Sequence, residues 1–124
     1  MTSVDVLLTE RAHPLEELLA SIVTMLRGIP GVTESVKWNS PNYALADDFA
    51  TLQLRRDDAI QVVLHTGAKA KPDHPGIVID AMPAGARWAG HNRLVLTYRQ
   101  AALSPADRAL LAAVVRAWTS QLVS

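Results

Sequence analysis

Apolar residues recur at helical spacing at both ends of the chain and at alternate positions in between. Leu15, Leu18, Leu19, Ile22 and Leu26 form one stripe of period 3.6. Pro14 precedes it, in a place that suits the first turn of a helix, and Glu16 and Glu17 suit the positive end of its dipole. Gly28, with Pro30 beyond, marks the stop. A second stripe holds Leu110, Leu111, Val114, Val115, Trp118 and Leu122. Ser104 is positioned to cap it, Pro105 takes the first helical position, and Asp107 completes a Ser-x-x-Asp box.

Between these helices the period falls to two, as in half-buried strands. Leu52 and Leu54 alternate with polar neighbours, as do Ile60, Val62 and Leu64, and later Leu94, Leu96 and Tyr98. Asp57-Asp58 separates the first two runs as a tight hairpin turn would. Residues 34–38 and 43–46 read as a further short pair around a turn from Asn39 to Asn42. Residues 77–81 read as a strand or a helical turn, and 67–76, rich in Lys, Pro and Gly, as an exposed loop. Short connections make the sheet antiparallel. The pattern predicts one α+β domain over residues 1–124. It has two layers: five to six antiparallel strands, with the N- and C-terminal helices packed on one face.

Composition narrows the function classes. Lys and Arg total 12 and so do Asp and Glu, so no basic excess points to nucleic acid or to an anionic membrane. Cysteine is absent, which removes disulfides, thiolate nucleophiles and cysteine-ligated metals. No apolar run reaches the ~20 residues of a membrane span. The first residues lack the basic and apolar regions of a signal peptide, and a cytoplasmic location is the expectation. No serine lies in a Gly-x-Ser-x-Gly elbow, and no His-Glu-x-x-His or phosphate-binding glycine motif is present. The balance leans away from an enzyme.

The densest chemistry lies at residues 36–43, Val-Lys-Trp-Asn-Ser-Pro-Asn-Tyr. Trp38 and Tyr43 bring flat apolar rings with polar tips, Pro41 sets a turn, and Asn39 adds neutral hydrogen bonding. Either they cover one end of the core or they wall a pocket. The pocket reading adds His65, Lys69, Arg87, Trp88 and His91; Lys37, Lys69, Lys71, Arg87 and Arg93 either gather near the open face to bind an anion or form a solvated mixed-charge surface. His65, His91 and Asp80 are a candidate metal trio if the strands bring them together.

The stretch Glu34-Ser-Val-Lys-Trp-Asn-Ser-Pro-Asn-Tyr resembles the signature of the DUF1801 (YdhG-like) family, in which Lys-Trp, then Pro, then an aromatic follow the first helix. Val63-Leu64-His65-Thr66-Gly67-Ala68 is similar to that family's later strand and its glycine turn. The resemblance covers residues 15–122. It implies a helix–antiparallel sheet–helix fold but assigns no activity; the residues themselves point to a module that binds a small molecule or a protein partner without a resident cofactor. One branch is frataxin-like and linked to iron delivery, which implies iron held by carboxylates. Asp5, Glu10, Glu16 and Glu17 are the cluster such a role would draw on. An unfilled sheet face, with Trp88 exposed, would also suit a homodimer.

Overall fold

The computed structural model describes residues 3–123. Three helices and six strands follow in the order α1 (Val4–Arg11), α2 (Glu16–Arg27), β1 (Thr33–Lys37), β2 (Ser40–Ala44), β3 (Asp48–Gln53), β4 (Ile60–Leu64), β5 (Arg87–Trp88), β6 (Leu94–Tyr98) and α3 (Pro105–Ser120). The strands form one antiparallel sheet in the order β1-β2-β3-β4-β6-β5. The two-layer α+β architecture expected from the apolar pattern is the one present.

Strand alternation places Tyr43, Ala50, Leu52, Ile60, Val62, Leu64, Leu94, Leu96 and Tyr98 on one face, aligned by the cross-strand register. Leu18, Leu19, Ile22, Val23 and Leu26 of α2 and Leu111, Val114, Val115 and Trp118 of α3 complete a single core with them. At the β2–β3 pair the register shifts between Tyr43 and Ala44. The bulge lets consecutive residues Phe49 and Ala50 both enter the core, while Asp48 hydrogen-bonds Asn42 on the opposite face.

Both long helices obey their end signals with small departures. Ser104 Oγ accepts from the Asp107 amide, but the Asp107 carboxylate accepts from Gln100 Nε2, so only half of the predicted box closes. Pro14 lies in the turn before α2, and the His13 ring rather than a hydroxyl receives the Leu15 amide, at 2.9 Å.

α1 has no counterpart in the sequence reading, because its residues make no apolar stripe. It is held by its ends. Ser3 Oγ accepts from the Val6 amide, and Ala12 closes the C-terminus in the left-handed region. An ionic staple then ties α1 to the sheet. Arg27 of α2 binds Asp5 of α1 at 2.8 Å and Glu34 of β1 at 2.7 Å, and the Tyr43 hydroxyl donates to the same Glu34 at 2.8 Å.

Three local expectations are corrected. The β1–β2 turn is Trp38-Asn39 alone, both with positive φ (54° and 58°), the signature of a type I′ hairpin turn. The Asn39–Asn42 turn therefore starts one residue early, and Pro41 lies within a strand. Residues 54–59 form a wider loop, not a tight hairpin, since β3 pairs with β4 only as far as Gln53 and Gln61. Residues 77–81 carry no strand. The edge strand is the two-residue β5 instead, and Ile77 is held by its amide bond to Asn92 Oδ1.

Candidate functional site

The face of the sheet turned away from α2 and α3 carries a shallow concavity of about 240 Å³. Lys37, Asn42, Asp48, Thr51, His65 and Arg93 are among its lining residues, with Ser40, Gln53, Val63 and Trp38 around them. Alternation produces this lining directly. The residues between the core positions of β2, β3 and β4 point here, and the register aligns Asn42 with Thr51 and Thr51 with Val63.

A continuous chain of hydrogen bonds crosses this face, and its direction follows from its first member. The Asp48 carboxylate accepts from Lys37 Nζ at 2.6 Å and from Asn42 Nδ2 at 2.9 Å. With its nitrogen so engaged, Asn42 must accept through Oδ1, and the Thr51 hydroxyl donates to it at 3.1 Å. The single Thr51 proton is then used. His65 Nε2, 3.1 Å from Thr51 Oγ1, must be the donor there. His65 Nδ1 faces the Gly67 backbone, 3.2 Å from its carbonyl and 3.3 Å from its amide. Burial holds the imidazole pKa below the ordinary histidine value of 6.5. Arg93 pushes the same way, against the opposing pull of the Gly67 backbone and of Asp47 and Asp48.

The site has a covalently simple but sterically strict border. Asp47 binds Lys71 at 3.0 Å, which with the Asp48 amide holds its carboxyl below the usual range. Gly67, at φ 148°, passes so close that a Cβ there would lie 2.3 Å from Asp47 Oδ2. Only glycine brings the strand end this near. Behind it, Trp118 Nε1 donates to the His65 carbonyl at 2.9 Å and fixes the backbone from the core side.

Charge on the lining is uneven. Lys37 and Asp48 neutralise each other. Arg93, exposed on the strand end beside His65, has no carboxylate partner among the described residues. The concavity therefore carries one uncompensated cation. It runs from β1 to β6, four strand intervals or roughly 19 Å at the backbone.

The structure divides the nine residues singled out from sequence. His65 lies in the concavity. Trp38 stands at its rim, and Asn39 lies beside it in the turn. Tyr43 does not join them. It is fully buried on the helix face, bonded to Glu34, and neighbouring Pro41 is buried too. Burial and the Glu34 carboxylate raise the Tyr43 pKa well above that of a free phenol. Trp88 also turns to the helix side and stacks on Trp118 with centroids 5.9 Å apart. Arg87 pairs with Val95 at the sheet edge, and Lys69 is exposed in the loop. His91 bonds the His74 carbonyl at 3.0 Å, away from His65. The aromatic pocket is thus split between two faces by strand alternation.

Among the described residues no three His, Asp or Glu side chains gather as metal ligands, so the trio of His65, His91 and Asp80 does not form. Of the four acidic residues weighed for iron, Asp5 is committed to Arg27, and Glu10, Glu16 and Glu17 make no ion pair among the described residues. No helix among the described residues is long and apolar enough to cross a membrane. Sequence reasoning missed Asp48 and Thr51 as site residues, while Arg93 was among the cations it weighed for the open face. Thr51 carried a signal, a polar position beside the core-facing Leu52, whereas Asp48 carried none, because the bulge breaks the alternation there. The chain matches no protein-family model, no curated protein and no solved structure.

Proposed function

We propose that this protein is a DUF1801-like binding module that takes an organic anion on the open face of its sheet and acts in the cytoplasm without chemistry of its own. The single observation that carries the reading is Arg93: a guanidinium on the lining of a concavity, unpaired by any carboxylate among the described residues. A guanidinium grips carboxylate or phosphate through two parallel hydrogen bonds. Ser40 and Gln53 add neutral polar contacts along the floor, and two further Lys37 protons remain for an acceptor at the other end.

The hydrogen-bond chain supports binding over catalysis. A threonine nucleophile needs a base to take its proton, but the Thr51 proton is directed at Asn42 and His65 donates to the same oxygen. The network holds the floor rigid. The Lys37-Trp38 and His65-Thr66-Gly67 segments behind the family resemblance both border this concavity, which favours one shared site for them.

The test is isothermal titration of purified protein with a panel of linear mono- and dicarboxylates, aryl phosphates and their neutral amides. Binding of an anion, lost in Arg93→Met and retained in part in Arg93→Lys, is the expected result. Equal binding of the neutral amides, or an affinity indifferent to Arg93, would overturn the reading.

A further inference from the structure

Trp38 is the most unusual side chain on the surface. It is 96% exposed, at the tip of the β1–β2 hairpin, and it occupies a left-handed backbone position that bulky residues rarely adopt. Asn or Gly would make this turn at lower cost. The indole is strained and fully wetted here and contributes little to the core, so only a contact outside its own chain would bury it.

Beside it lies a groove of about 640 Å³ that Trp38 itself borders. Leu7 of α1 and Leu54 supply apolar floor, and the aliphatic stems of Arg11 and Arg55 widen it. Arg11 is already engaged with Asp57 and the Leu54 carbonyl. Two other charges on the groove, Glu10 and Arg55, have no ion-pair partner among the described residues. One unpaired acid, one unpaired base and one exposed knob on the rim of an apolar hole make the surface complementary to itself. In a two-fold contact the same patch meets its copy, so every such pairing occurs twice.

We propose that this edge of the molecule is a homodimer interface. The Trp38 indole of each copy seats between Leu7 and Leu54 of the other, and Glu10 of each copy pairs with Arg55 of the other. Small apolar or acidic partners would leave one of the two charges uncompensated, whereas a second copy satisfies both. Each buried indole removes up to roughly 250 Å² from water, and two of them with their surrounds fall near the lower end of specific interfaces. An interface of this size fits reversible association. Trp38 also stands at the rim of the open-face concavity, but Glu10 and Arg55 lie outside it, so their reversal tests the dimer apart from the ligand reading.

Sedimentation of the full chain across the micromolar range tests it, with four variants. The wild type should pass from monomer to dimer with concentration. Trp38→Asn should stay monomeric and yet melt at the same or a higher temperature, because Asn suits the left-handed turn; that outcome separates loss of the interface from loss of the fold. Glu10→Arg and Arg55→Glu should each weaken association at least tenfold, and the combined reversal should restore it. A wild type that is monomeric throughout, a dimer indifferent to Trp38→Asn, or a double reversal that fails to recover would each overturn the proposal.

Discussion

The His65 imidazole ties the open face to pH. Its pKa lies below 6.5 in the folded chain and near 6.5 once unfolded, so between these values the unfolded chain binds more protons. Stability is then complete above pH ~6.5 and declines as pH falls through the folded value. His65→Gln keeps a donor toward Thr51 but does not titrate. Urea unfolding across the acid range should show a shallower decline in this variant than in the wild type. An unchanged slope would mean that the imidazole is not the titrating group. Tyr98 gives a prediction of unusual sign. Its hydroxyl is buried without a hydrogen-bond partner, and burial with the Asp107 charge pushes its pKa up to about 12. An unmet buried hydroxyl costs about 1–3 kcal/mol. Tyr98→Phe should therefore raise the urea midpoint, where most aromatic core substitutions lower it.

Among elements, α3 couples the core to the site. Trp118 is fully buried, stacks on Trp88 and holds the His65 carbonyl. Trp118→Phe keeps most of the apolar contact but abandons that bond and leaves a void. A loss of about 1–3 kcal/mol is expected by chemical denaturation. Trp88, already 43% exposed, should show red-shifted fluorescence in the variant. The elements legible in the sequence are those whose apolar period is set by the core: α2, α3, β3, β4 and β6. α1 was not legible because caps and the Arg27–Asp5 pair hold it, and neither has a period. β5 was not legible because two exposed residues carry no pattern.

At the scale of the whole molecule, the layer arrangement was legible and the site only in part. His65 and the Lys37-Trp38 pair were identified, but Tyr43 and Trp88 were grouped with them by nearness in sequence and type. The type I′ turn and strict alternation put Tyr43 on the helix face, and β5 turns Trp88 toward Trp118. Asp48 looked like a turn residue, since a bulge cannot be read from spacing alone. The strand order has one more consequence, for the route by which the chain reaches this structure. β1 to β4 each pair with their neighbour in sequence, so the meander closes through short loops, whereas β6 must return across residues 65–93 to meet β4. Closing a long loop costs entropy before any contact compensates, and non-local pairing is slow. Pulse-labelled hydrogen exchange during refolding should thus protect the amides of β2, β3 and β4 before those of β6, with the open-face floor assembled while the Arg93 end is still unformed. Simultaneous protection of all four strands would show that the sheet instead condenses in a single step.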